Sequence, residues 1–366
     1  RRPSQSPRPV PQQPERHEQM PSSPSQPVEG ALTRSAIFIT LTVNAGAGDS
    51  GALAAFRGLC ADLPSLVKAV GFRSAEAGLS CVLGIGAGLW QRLGLGSTPH
   101  GLHPFREIHG IHHAPATPGD ILLHIRASRP DYCFELASHI MRRLGGAVTV
   151  QDETQGFKFF DNRDLLGFVD GTENPLGADL TAAVVVGDED PAFAGGSYVI
   201  VQKYLHDMEK WRAMSTEAQE RVIGRHKLSD IEFADADKAS YAHNVLTSIT
   251  DDQGNALEIL RDNMPFGSPA RGEFGTYFIG YACEPGRIET MLHNMFVGLP
   301  PGNYDRILDV STPVTGALFF VPPVAVLEAI GAGTALGPQD AAPDVAAGPV
   351  ARPDGSLGLG SLKQGN

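Results

Sequence analysis

Apolar residues at every second position are the feature that most restricts this chain. A two-residue period commits a segment to a strand, and a strand needs partners elsewhere in the sequence. Ile37, Ile39, Leu41 and Val43 alternate with Phe38, Thr40 and Thr42. Residues 51–71 then read as a helix that Pro64 is expected to kink or split. Residues 79–85 and 120–125 are short apolar strands, and 132–144 is an amphipathic helix with Leu136, Ile140 and Leu144 on one face. A strand at 147–152 closes the series as strand, helix, strand, strand, helix, strand. The second half follows the same plan, with strands at 197–205, 276–282 and 317–321 and helices at 208–224 and 286–297. The second helix places Ile288, Met291, Leu292, Met295 and Phe296 on one face. This order is the split βαβ, ferredoxin-like arrangement, occurring twice. The expected fold class is therefore α+β, with two ferredoxin-like units of antiparallel sheet at residues 35–165 and 166–330. The duplication rests on element order, since no identity between the halves is visible.

The flanks have another composition. Residues 1–34 are rich in Pro, Gln, Ser and Arg and are expected to be disordered. Residues 331–353 turn to Gly, Ala, Pro and Asp and read as a flexible linker. A last segment, 354–366, spaces Leu357, Leu359 and Leu362 with Gly and Ser. A net charge of −12 over 366 residues argues against nucleic acid or an anionic membrane surface as a partner. No apolar run is long enough to span a bilayer. The four cysteines form no CxxC pair, so they suggest neither a disulfide framework nor a thiolate metal site. Residues 1–30 hold no apolar core of a secretory signal, and cytoplasmic residence is the expectation.

Several segments invite a chemical reading. GIGAG at 84–88 follows a strand but has Leu89 where a dinucleotide loop needs its last glycine, so a turn into a short helix is expected. His109, His112 and His113 suggest zinc, yet no Cys or Glu-x-x-His pattern lies nearby, and a polar loop is the simpler reading. GFVDGTENP at 167–175 is an ordered loop in which Asp170 stands between apolar residues and a glycine. That acid is either presented into a cavity or turned back on its own loop. His243 lies in apolar surroundings, as a core histidine or as a ligand. In ILRDNMPFG at 259–267, Arg261 and Asn263 share a face if the segment is extended, and both could aim at one small polar ligand. The plainer alternative is a strand end with a solvated arginine.

Together these blocks resemble the dye-decolourising peroxidases, in particular the bacterial B-type group. GFVDGTENP is similar to the family's GxxDG signature, LRDNMPFG to its Arg-x-Asn segment, and His243 falls where the family keeps its proximal histidine. HAPATPGDILLHIRA at 113–127 and TGALFFVPP at 315–323 are also similar to family blocks. The resemblance runs from about residue 35 to residue 330. It implies two ferredoxin-like units packed as one haem-binding body, with haem b (iron protoporphyrin IX) held mainly by the second half.

His243 would be the axial ligand of the haem iron, with Asp305 accepting its other N–H and Asp309 in reserve. Asp170 would carry a proton of hydrogen peroxide, Arg261 would stabilise the anionic peroxide beside the cofactor, and Asn263 would orient it. The resemblance further implies a ferryl haem reduced by dyes, phenolics or similar one-electron donors. Trp90, Trp211, Tyr204 and Tyr241 are candidate electron carriers, and Glu173 a candidate contact for manganese. SLGLGSLK at 356–363 resembles the peptides that load cargo into encapsulin shells, so the shell protein is an expected partner through residues 354–366. The same reading implies a cytoplasmic homo-oligomer, a hexamer, inside an encapsulin nanocompartment. The rival expectation is a protein that binds haem or handles its iron without significant peroxide turnover. Two further rivals are a purely structural assembly and chlorite-dismutase-like chemistry.

Overall fold

A computed structural model describes residues 24–45 and 49–336. Strand β1 (Ser35–Val43) is covered on both faces, so its alternation sorts residues between two cores rather than between core and solvent. Ile37, Ile39, Leu41 and Val43 enter one core, and Ala36 and Phe38 enter the other. The first half continues as α1 (Asp49–Gly71), β2 (Ser80–Gly86), β3 (Ile121–Ala127), α2 (Pro130–Leu144) and β4 (Val148–Phe157). Its strands lie in the order β4-β1-β3-β2, every neighbour antiparallel.

The second half supplies β5 (Ser197–His206), α3 (Met208–Ala213), α4 (Thr216–Ile223), α5 (His243–Thr247), β6 (Leu260–Arg261), β7 (Met264–Ser268), β8 (Glu273–Ala282), α6 (Pro285–Phe296) and β9 (Ala317–Val321). The order β9-β5-β8-β6, with β7 also on β8, repeats the arrangement of the first half. The two ferredoxin-like units are joined where β2 meets β9 through Ile85–Phe320 and Gly86–Phe319, which makes one ten-stranded sheet.

That sheet curls. Phe38 of β1 stacks on Tyr277 of β8 at 4.1 Å, and Lys203 of β5 pairs with Asp152 of β4 at 2.9 Å. Strands from opposite halves therefore face one another across the second core, which holds Phe38, Val82, Leu122, Ile279, Tyr281 and Phe319. Helices α1, α2 and α6 pack with the first core, on the other face. The glycines of the 84–88 stretch serve this packing. A Cβ on Gly84 would lie 2.9 Å from Phe319, and one on Gly86 would lie 2.2 Å from the carbonyl of Gly119. The chain then enters a short helix (Ala87–Leu93), as the sequence suggested.

Five expectations change. Pro64 lies inside a single helix, so α1 is not split. The helix expected over 208–224 is two, because Asp207 caps α3 and Ser215 restarts the chain by capping α4. The segment around Arg261 is strand on both sides of a break at Asp262–Asn263. Disorder over the whole of 1–34 does not hold for residues 24–34. Gln26 donates to the carbonyls of Leu83 and Pro322 and accepts from the Leu83 N–H, and Val28 is buried. A side-chain amide that both donates and accepts can dock an otherwise proline-rich segment. Likewise a helix (Val324–Ala332) and a bond from Leu336 to Leu95 delay the start of the expected linker. The remaining parts of both flanks, including 354–366, lie outside the described residues.

Because Phe38 joins the halves through a fully buried ring, Phe38→Ala is expected to cost about 3–5 kcal/mol. Urea unfolding followed by circular dichroism and tryptophan fluorescence would check it. A loss below about 1 kcal/mol would contradict the packing described.

Candidate active site

His243 is the first residue of α5, and its ring is fixed from the side away from solvent. Its Nδ1 lies 2.6 Å from Oδ2 of Asp305, which is fully buried. The other oxygen of that carboxylate accepts the N–H of Ile307 at 3.0 Å, because Asp305 caps the turn Arg306–Asp309. The Asp305 N–H in turn donates to the Met295 carbonyl at the end of α6. A carboxylate held at both oxygens sets the histidine tautomer: Nδ1 carries the proton, and Nε2 keeps its lone pair for a metal. Asp309, the other acid considered for this place, bonds His112 and Tyr304 instead.

Asp170, Arg261 and Asn263 converge on the same cavity as His243. Asn263 donates from Nδ2 to the Asp170 carboxylate at 3.0 Å and accepts the Ile279 N–H at 3.1 Å. Its amide thus replaces a rung of the sheet at the break between β6 and β7. Alternation puts Arg261 and Asn263 on the cavity side and turns Asp262 the opposite way. There Asp262 meets Arg126 of β3 at 2.8 Å, both side chains being buried. The first half therefore grips the strand that carries the second half's polar residues.

Asn174, which closes the signature loop, adds a second grip. It donates to the Arg261 carbonyl at 2.7 Å and accepts the Arg261 N–H at 2.9 Å. The guanidinium of Arg261 has a buried Nε with no hydrogen-bond partner. An unpaired buried donor beside an open cavity suits an anionic or strongly polar ligand.

The cavity has a free volume of about 140 Å³. Phe168, Ile223, Phe278, Ile288, Met291, Leu292 and Met295 give it apolar walls. It continues into a more polar recess along Glu173, Arg225 and Thr250, with His243, Asp170 and Arg261 shared between the two. Apolar walls, one lone-pair nitrogen and an unpaired cation fit haem: the walls would receive the porphyrin, Nε2 of His243 would be available to the iron, and Arg261 to a carboxylate or peroxide.

Asp164 was missed by the sequence reading. It lines the cavity, and its Oδ1 accepts the Phe168 N–H at 2.9 Å. Burial pushes its carboxyl up to about 7, against the Phe168 N–H, with Asp170 raising it further. Only its position six residues before Asp170 hinted at it. Asn174 was legible as part of the loop but carried no sign of its partner.

The four aromatic candidates separate. Tyr204 lines the cavity, and Trp211 stands behind the lining residue Phe168 at 6.2 Å. Trp90 packs with Phe193 and Phe320 in the first core, and Tyr241 lies under the Arg306 guanidinium. Glu173 is paired with Arg225 at 2.8 Å.

A histidine backed by a buried carboxylate, facing an arginine, an asparagine and an acid across an apolar slot, is the pocket of a haem enzyme that handles a small polar oxidant. Family models described as Dyp-type peroxidase, N-terminal, and Dyp-type peroxidase, C-terminal, match residues 26–158 and 161–326. A dye-decolorizing peroxidase of Mycolicibacterium paratuberculosis is 53% identical over 345 residues, covering 94% of each chain. A variant of DypB from Rhodococcus jostii RHA1, solved in complex with haem, is 52% identical with a TM-score of 0.80, covering 82% of this chain and 96% of that one. The encapsulated DyP-type peroxidase of Mycobacterium smegmatis is 54% identical with a TM-score of 0.81, covering 84% and 98%. The chain belongs to the Dyp-type peroxidase family. It is a haem peroxidase, and its cofactor is haem b.

Asp164 generates a pH prediction. Its folded-state carboxyl titrates near 7, above its ordinary value of 3.8, so its contribution is fully present below pH 4 and is lost as pH rises through 7. In cofactor-free protein, Asp164→Asn is expected to flatten the fall in stability between pH 4 and 7. Parallel denaturation curves over that window for both proteins would contradict it.

Proposed function

We propose that this peroxidase reduces hydrogen peroxide at a haem held by His243 and draws electrons from dyes, phenolics or similar one-electron donors. The observation that carries the residue assignment is the convergence on one cavity of the Asp305-backed His243 with Asp170, Arg261 and Asn263. Haem supplies the iron at which peroxide is activated and the store for the oxidising equivalents.

The protein supplies the rest. Asp305 accepts the His243 Nδ1–H and so raises the electron-donating power of the opposite nitrogen. Peroxide must lose a proton from one oxygen and gain one at the other before its O–O bond breaks. Asp170 accepts that proton at its carboxylate and returns it, and Asn263 holds the carboxylate in one orientation. Arg261, fixed through its backbone by Asn174, offers its unpaired guanidinium to the developing negative charge without reorganising. Donors too large for the slot pass electrons through Tyr204 at its wall, or through Trp211 by way of Phe168.

Rapid mixing with stoichiometric peroxide tests these roles. The native protein is expected to change its Soret spectrum at once, and His243→Ala is expected to lose or badly alter the Soret band. Arg261→Ala is expected to slow the spectral change by about a hundredfold or more, and Asp170→Ala by less. Comparable rates for the last two variants would overturn the ranking. A normal Soret band that never responds to peroxide would favour haem binding without turnover.

The enzyme is further proposed to be encapsulin cargo in the cytoplasm, assembled as a homo-oligomer of hexamer size. Residues 337–353 would serve as tether and 354–366 as the docking segment. Spaced leucines suit shallow pockets, and the glycines between them let the backbone approach closely. The encapsulated relative from Mycobacterium smegmatis supports that reading. Among the described residues no helix is long and apolar enough to cross a membrane. Deleting residues 354–366 is expected to abolish co-purification with the shell while leaving peroxide turnover unchanged. Encapsulation that survives the deletion would refute it.

A further inference from the structure

We infer that Glu107, His109 and His113 form a surface site for a divalent first-row metal ion of zinc-like ligand preference. His109 and His113 face each other directly across a two-stranded hairpin, Ile108–His109 against His113–Ala114. Side chains opposite one another on an antiparallel pair are near neighbours, and the two imidazoles lie parallel with centroids 4.7 Å apart. Glu107 precedes His109 by two residues and so shares its face of the strand. One oxygen of Glu107 lies 3.3 Å from Nε2 of His109 and 3.4 Å from Nε2 of His113.

Those separations have a metrical meaning. Nitrogen and oxygen ligands about 2.0–2.1 Å from a tetrahedral zinc ion stand about 3.3–3.4 Å apart. All three donor atoms lie within 4.8 Å of one another, so a small turn of the rings completes the set. Two imidazoles and a carboxylate leave the fourth position to water, the donor set of an open zinc site. All three residues are solvent-exposed, which gives a hydrated ion direct access.

The hairpin is held in shape before any ion arrives. A Cβ on Gly110 would fall 1.9 Å from the carbonyl of Phe296, so the turn sits hard against the end of α6. His112 leaves the ligand set and anchors the hairpin instead, with Nε2 3.0 Å from Oδ1 of Asp309. This explains why the histidine spacing alone pointed away from zinc. One of the three histidines is an anchor, and the third ligand is an acid outside the cluster. None of the three ligands lines the haem cavity, so the site is independent of the iron.

Calorimetric titration of the tag-free holoenzyme with zinc chloride tests the proposal. One saturable equivalent is expected that is absent from a His109→Ala/His113→Ala double variant and weakened roughly tenfold or more in Glu107→Gln. Zinc is also expected to raise the melting temperature of the native protein and not that of the double variant. Without zinc, the double variant should keep its Soret band and melting temperature, which separates loss of the site from loss of the fold. An identical titration in native protein and double variant, or no saturable binding in either, would overturn the assignment.

Discussion

The antiparallel contact of β2 with β9, at Ile85–Phe320 and Gly86–Phe319, is the constraint on which the rest depends. Each half would otherwise end in an unpaired strand edge, a surface prone to wrong pairing. Using the two edges against each other turns the two units into one ten-stranded sheet. The sheet then curls until residues of the first half, Phe38 and Arg126, reach Tyr277 and Asp262 of the second. The close approach is possible because Gly84 has no side chain where Phe319 of β9 packs. The core inside the curl is thereby built from both halves, and Arg126 of the first half holds the strand break that carries Arg261 and Asn263.

The two faces of the haem slot are rigid for different reasons. The histidine face is set by a fully buried carboxylate whose oxygens are both engaged, by His243 and by the Ile307 N–H. The opposite face is set by a broken strand. Asn263 replaces a backbone rung, Asn174 closes on both backbone groups of Arg261, and Arg126 holds Asp262 from behind. Removing one member of such a buried ion pair costs about 3–5 kcal/mol, so the strand break is firmly fixed. What remains free is what the proposed chemistry would use: the unpaired guanidinium of Arg261 and the second nitrogen of His243.

Much of this was legible in the sequence, with clear limits. The two-residue period located nearly every long strand, and element order implied the ferredoxin-like plan, because both follow from local patterning. The strands flanking Asp262–Asn263 were read only in part as strand, since their pairing with β8 is interrupted by side chains. Residues 24–34 looked too polar and proline-rich to order, yet the Gln26 amide finds both partners on the backbones of Leu83 and Pro322. His243, Asp170, Arg261 and Asn263 stood in recognisable motifs. Asp305 was one of two acids in a short stretch, and only the fold separates it from Asp309. Asp164 and Asn174 acquire their places through tertiary contacts that no spacing announces.

The account rests on His243 being the axial ligand of the haem iron with Asp305 accepting its Nδ1–H. Resonance Raman measurement of the iron–histidine stretch in the ferrous protein, native beside Asp305→Asn, tests that most directly. A band that falls in frequency in the variant is expected, because a weaker acceptor leaves a weaker donor at the iron. A band at the same frequency in both proteins would contradict the account.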